Sequence, residues 1–189
     1  MIDVLLITGY LGSGKTTFLN HILSLPEFEG RKKVLLINEF GSLGIDGQIV
    51  QKGDYEIVEL NKGSVFCVCV KTDFIASLGR IAEDLKPDLL IIEATGVAET
   101  ADLNAFLESP GIEGIFRICG NICLVDAQNF TMVAPNLKAA RSQVVWADGI
   151  VLNKTDLVEP SEIEILKKLL AQINPDAPVT EVTYGRVQT

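Results

Sequence analysis

The nine residues GYLGSGKTT, Gly9 to Thr17, constrain the fold of this chain more than any other stretch. They fit G-x-x-x-x-G-K-[ST] with Gly9, Gly14, Lys15 and Thr16 in register. The apolar run DVLLIT precedes them, and KTTFLNHILSL, with helical spacing, continues from them. A strand that turns through a glycine-rich loop into a helix is a phosphate cradle. Successive backbone N–H groups from Gly12, Ser13 and Gly14 to Thr17 can face one phosphate, Lys15 reaches its β and γ oxygens, and the Thr16 hydroxyl suits Mg²⁺. The dipole at the start of the helix adds favourable charge.

The rest of the chain repeats the same alternation. Apolar runs of strand length recur at residues 3–8, 33–38, 55–60, 88–94, 120–127 and 149–153. Most are continuous rather than alternating, as in strands buried on both faces of a parallel sheet. Helical spacing appears between or after them at 15–25, 71–85, 139–149 and 160–173, the last with Ser161 and Glu164 in a capping-box pattern. The expected architecture is α/β: a three-layer P-loop NTPase domain with a mostly parallel central sheet, one domain over residues 1–189. Ligands in such sheets bind at the carboxyl ends of the strands. The glycine-rich connection from Glu39 to Asp54 is a candidate mobile loop.

Two further motifs fall at strand ends. DLLIIEATG places Glu93 at a carboxyl end with Gly96 three residues later. That carboxylate can hold magnesium through water, and the Gly96 N–H can meet a γ-phosphate without side-chain obstruction. VLNKTDLV supplies N-K-x-D through Asn153, Lys154 and Asp156. An aspartate accepts two hydrogen bonds from the N1–H and exocyclic amino group of guanine, a donor pair that adenine lacks. Asn153 can meet the base edge or tie the loop to the P-loop, while the Lys154 stem covers the ring face. GTP is therefore expected over ATP.

Composition narrows the partners. Sixteen Lys plus Arg against 25 Asp plus Glu give a net charge of −9, which argues against a phosphate-backbone binder, so no nucleic acid is expected. No apolar run reaches the roughly 18 to 20 residues of a membrane span, and the N-terminus shows no cleavable leader pattern. A cytoplasmic protein without a membrane partner is expected. Four cysteines then read as free, catalytic or metal-bound rather than paired in disulfides. Cys119 and Cys123, in the apolar FRICGNICLV, read as core packing. His21 reads as a packed or hydrogen-bonded histidine, and Trp146 as a core or surface aromatic.

With the P-loop, NEFG at 38–41, EATG at 93–96 and NKTD at 153–156 in this order, the chain resembles the CobW-like GTPases, relatives of HypB and UreG. The likeness runs from about Asp3 to the INPDAPV stretch at 173–179. It implies a GTPase that serves metal delivery or metalloenzyme maturation, with GTP and Mg²⁺ as ligands and a client metalloprotein or cofactor-synthesis enzyme as partner. It also implies catalytic roles for Lys15, Glu39 and Glu93, with Thr16, Glu39 and Glu93 around Mg²⁺ and switch I over Glu39 to Asp46. Asp46 reads equally well as a turn residue before Gly47.

The chain departs from that family in two places. Members carry Gly-Cys-x-Cys-Cys after the third strand; here the register reads Gly63, Ser64, Val65, Phe66, Cys67, Val68, Cys69, so only Cys67 falls in place. Members also carry a second, C-terminal domain, often with His-rich segments, and this chain, with one histidine, reads as the GTPase domain alone.

Cys67 and Cys69 supply at most half of a four-ligand site for Zn²⁺ or Co²⁺. The rest would come from water, from Glu39 or Asp46, or from the same pair in the second copy of a homodimer. Structural burial and redox pairing are the other readings of the two thiols. The expected function is a GTP-hydrolysing metal-trafficking protein whose nucleotide state is coupled to a cysteine-containing loop. Hydrolysis is expected to be slow without a partner, since no arginine stands near the P-loop. The alternative is a regulatory GTP-binding module that docks a client and carries no metal.

Overall fold

The computed structural model describes residues 1–37, 55–59, 68–94 and 105–187. Among them seven strands form one sheet. In chain order these are β1 (Ile2–Gly9), β2 (Lys33–Ile37), β3 (Tyr55–Glu59), β4 (Leu89–Glu93), β5 (Phe116–Asp126), β6 (Gly149–Asn153) and β7 (Val179–Glu181). The spatial order is β3-β2-β4-β1-β5-β6-β7, and every pairing is parallel. The α-helices are α1 (Lys15–Ile22), α2 (Val68–Arg80), α3 (Phe130–Val133), α4 (Lys138–Val145) and α5 (Pro160–Ile173).

A period of two divides the central strands between the two faces of the sheet. From β1, Val4 and Leu6 point with Val34, Leu36, Leu90 and Ile92 towards Phe74 and Leu78 of α2. Ile7 points the other way, with Leu35 and Ile91, towards Phe18, Leu19 and Ile22 of α1. A third cluster joins Val125 and Leu152 to Val144 of α4 and Leu166 and Leu170 of α5. Both faces are covered, which is why these strands read as unbroken apolar runs.

Four details differ from the sequence expectations. First, β5 begins at Phe116, four residues earlier than the apolar run suggests, and it carries a bulge: Val4 pairs with Ile118 and Leu5 with Gly120. Cys119 is the extra residue. It is exposed rather than core, with its Sγ donating to the Val4 carbonyl at 3.3 Å, whereas Cys123 is buried as expected. Second, the cap of α5 lies two residues earlier than Ser161: the Glu162 carboxylate accepts from the Glu159 N–H at 3.0 Å, and Pro160 opens the helix. Third, Cys69 stands in the first turn of α2 rather than in a loop, and α2 runs on through a π-turn at Ile81–Leu85. Fourth, β7, in the stretch after INPDAPV begins, is a strand the apolar-run pattern does not reveal.

Candidate nucleotide site

The P-loop leaves the carboxyl end of β1, which lies in the middle of the sheet between β4 and β5. Its inner turn is closed by the Ser13 N–H donating to the Tyr10 carbonyl at 3.1 Å. Ser13 is fully buried and its Oγ has no hydrogen-bond partner among the described residues, so this residue shapes the loop from within. Gly14 caps α1 in the left-handed region at φ 95, and a Cβ there would collide with the Asn153 amide nitrogen. Only glycine fits both demands. The Lys15 Nζ lies 3.5 Å from the Tyr10 carbonyl, folded back over the loop, and Thr17 is exposed on the first turn of α1.

Parallel pairing sets Glu93 beside Ile7 at the end of β1. From there its carboxylate accepts from the Thr16 hydroxyl at 3.0 Å through Oε1, with Oε2 at 3.4 Å. Two of the three residues assigned to magnesium from sequence, 77 positions apart, thus meet at one point. A hydroxyl in the first turn of α1 and a carboxylate at the end of β4 are the hard oxygen donors that Mg²⁺ prefers, so the residues present fit that ion.

Asn153 ends β6 and uses both halves of its amide. Its Nδ2 donates to the Ser13 carbonyl at 2.8 Å, and its Oδ1 accepts from the Gly185 N–H at 3.0 Å. The P-loop, the NKTD loop and the turn after β7 are thereby joined through one side chain. Thr155 adds a second tie, donating through Oγ1 to the Val182 carbonyl at 3.1 Å. Asp156 stands exposed on the short 3₁₀ turn Thr155–Leu157, its carboxylate open to solvent.

Lys154 has a left-handed backbone at φ 63, and its Nζ pairs with Asp126 at 2.7 Å. Asp126 ends β5, directly across from Asn153. Burial pushes the Asp126 carboxyl up, but Lys154, the Asn129 amide and the Gln128 N–H outweigh it and hold the group below the usual carboxylate range. Asp126 also walls a cavity of about 260 Å³ beside the P-loop, with Tyr10, Leu11, Phe130 and Gln143. Cys123 lies on the same wall, and burial there pushes its thiol up to about 12. Sequence reading missed both Asp126 and Gly185. Asp126 carried the same signal as Glu93, an acid at a strand's carboxyl end, whereas nothing local marks Gly185.

Other assigned residues fall elsewhere. Glu39, Asp46, Cys67 and Gly96 lie outside the described residues. Among the described residues, no group of three or more His, Cys, Asp and Glu side chains is placed to hold a metal ion. His21 is hydrogen-bonded as expected, its Nε2 lying 3.3 Å from the Val187 carbonyl. Trp146 is half exposed at the end of α4. No helix among the described residues is long and apolar enough to cross a membrane.

The family model described as "CobW/HypB/UreG, nucleotide-binding domain" matches residues 3–181. The zinc chaperone YjiA of Escherichia coli is 35% identical over 196 aligned residues, which cover 98% of this chain and 59% of that protein. A zinc chaperone CobW from a Sinorhizobium species is 32% identical, over 88% of this chain and 54% of its own length. The crystal structure of the Zn(II)-bound YjiA GTPase from E. coli superposes with a TM-score of 0.70 at 29% identity, covering 99% of this chain and 59% of that one. The chain thus spans about half the length of the curated relatives it matches.

Proposed function

Since this chain belongs to the CobW/HypB/UreG family over residues 3–181, we propose that it binds and hydrolyses GTP in the service of metal trafficking or metallocofactor assembly. The observation that carries the reading is the meeting of Thr16 with Glu93 at a P-loop that Asn153 clamps to the base-recognising loop. Phosphates would lie against the N–H groups of Gly12, Gly14, Lys15, Thr16 and Thr17, with Ser13 shaping the turn and Gly96 on the γ side. Asp156 would accept from the guanine edge. Bound Mg²⁺, held by Thr16, Glu93 and Glu39, would supply charge neutralisation across the phosphate oxygens.

The catalytic work left to the chain is positioning. Lys15 offsets charge on the phosphate being transferred, and Glu93 and Glu39 orient the attacking water. Hydrolysis should be slow in isolation. Arg31 and Arg117 are both bound to Asp3, at 3.0 and 2.6 Å. Asp3 stands six residues before Gly9 on β1, about 20 Å from the phosphate end at the rise of a strand. The zinc chaperones among its relatives support zinc as the cargo, and Cys67 and Cys69 are the proposed contacts, responding to nucleotide through the 39–54 connection. A client metalloprotein and a homodimer that completes the metal site belong to the same proposal.

The test measures Zn²⁺ and Co²⁺ affinity of the purified protein in its GTP and GDP states, alongside a Cys67→Ser/Cys69→Ser double variant. A nucleotide-dependent affinity that the double variant loses is expected. Equal affinity in both states, or in the variant, would overturn the coupling. No metal bound at all, with GTP still preferred over ATP, would favour the metal-free docking module.

A further inference from the structure

Asp126 is a carboxylate with 8% of its surface exposed, and three donors converge on it. The Gln128 N–H reaches Oδ1 at 2.9 Å, and the Asn129 amide reaches Oδ2 at 2.9 Å. Lys154 Nζ reaches Oδ2 at 2.7 Å from 28 residues away. The first two come from Asp126's own turn, so the carboxylate is anchored independently of the lysine. Lys154 is the partner that gains order.

Its backbone is arranged for this contact. The left-handed φ of 63 at Lys154 breaks the direction of β6, and the side chain returns to the end of β5 instead of following the 3₁₀ turn that carries Asp156. Such a conformation is costly for a residue with a Cβ and persists only where its surroundings hold it. Here the Ala127 N–H donates to the Asn153 carbonyl at 2.9 Å and the Leu157 N–H to the Lys154 carbonyl at 3.0 Å, so the residue is bonded on both sides. The Lys154 side chain keeps 31% of its surface exposed while its charged end is neutralised. With Nζ tied to Asp126, the methylene stem takes a fixed course from the end of β6 to the end of β5.

We infer that Asp126 is a positioning residue for guanine binding: it holds Lys154 in place before the nucleotide arrives, so that the lysine stem forms a ready apolar surface for one face of the base. The inference rests on the reading that Asn153, Lys154 and Asp156 form the guanine site. A long side chain that must be ordered on binding weakens affinity, and one already ordered does not. The same anchorage explains why the acid stands on β5: Asp126 pairs with Asn153 across the sheet, one residue before the lysine it holds.

The test is a double-mutant cycle on the full chain with Asp126→Ala, Lys154→Met and the pair, following a fluorescent GDP analogue, with GTP and ATP competition and a melting temperature for each variant. Asp126→Ala should weaken GDP about three- to tenfold, carried by faster dissociation, and should add little once Lys154 is Met. Asp126→Asn keeps the size and the acceptor for Gln128 but removes the charge. It should behave as the alanine variant does, and it carries the cycle should Asp126→Ala fail to fold. Equal weakening in both backgrounds marks a merely structural role and overturns the inference. So does an unchanged affinity in Asp126→Ala when the wild type prefers GTP. A wild type that binds ATP as tightly as GTP would instead bring down the guanine-site reading, and Asp126's role with it.

Discussion

Asn153 shows how much one side chain can decide. Its two amide bonds join the P-loop to the turn after β7, and Gly14 lacks a Cβ because that amide occupies the space. Asp126 does comparable work by charge, and its acid response follows. A carboxyl held below its ordinary value in the folded state contributes stability that is fully present above the unfolded carboxylate range, near pH 4, and is lost as pH falls through the folded value. Asp3, held down by hydrogen bonds from Arg117 and Arg31, carries the same sign. The melting temperature should therefore decline as pH falls from about 5 towards 2. In Asp126→Asn it should start lower and decline less steeply, since one of the two groups no longer titrates. Thermal melts at stepped pH check this, and equal slopes would remove Asp126 from the account. At this scale the sequence marks as candidates the residues with motif neighbours, Lys15, Thr16, Glu93, Asn153 and Asp156. Asp126 ends a strand as Glu93 does, but no motif around it marks Lys154 as its partner.

Among the elements, the turn after β7 contributes most beyond its length. Tyr184 and Gly185 both take positive φ, 51 and 65, and the Arg186 N–H closes the turn on the Thr183 carbonyl at 3.1 Å. A Cβ on Gly185 would stand 2.8 Å from the Phe18 nitrogen and 2.9 Å from its Cα, so the turn rests directly on the backbone of α1. Gly185→Ala should force that contact apart and pull the Gly185 N–H from Asn153, destabilising the protein by roughly 1–3 kcal/mol. Chemical denaturation measures the loss, and GDP dissociation should quicken with it. A variant as stable as the wild type would mean that the turn is free to shift. The bulge in β5 teaches a related lesson. FRICGNICLV reads as a largely apolar stretch, but the register with β1 slips by one residue and turns Cys119 out while Cys123 stays in. The flanks do differ: Cys123 lies between Ile122 and Leu124, whereas Cys119 has Arg117, Gly120 and Asn121 close by.

For the molecule as a whole, the order β3-β2-β4-β1-β5-β6-β7 places β1 centrally, so the P-loop has Glu93 on one side and the NKTD loop within reach on the other. The sheet that sets this order is held by cores on both faces. Leu90, fully buried on β4 beside Phe74 and Leu78 of α2, samples one of them. Leu90→Ala should cost about 2–5 kcal/mol, through lost burial and the cavity left behind. Unfolding curves would show it as a lower midpoint at unchanged slope, while the folded fraction keeps its GDP affinity. A loss under 1 kcal/mol would mean that the site collapses around the smaller side chain. The fold class and the strand–loop–helix of the P-loop were determined by the sequence alone, because both are local: apolar runs of strand length, helical spacing, and glycines at fixed offsets from a lysine express their physics within a few residues. The strand order, the outward turn of Cys119, the Lys154–Asp126 pair and the seat of Gly185 on α1 were decided only by the tertiary structure. Each depends on which strand ends lie side by side, and that is a property of sheet register to which distant parts of the chain contribute together.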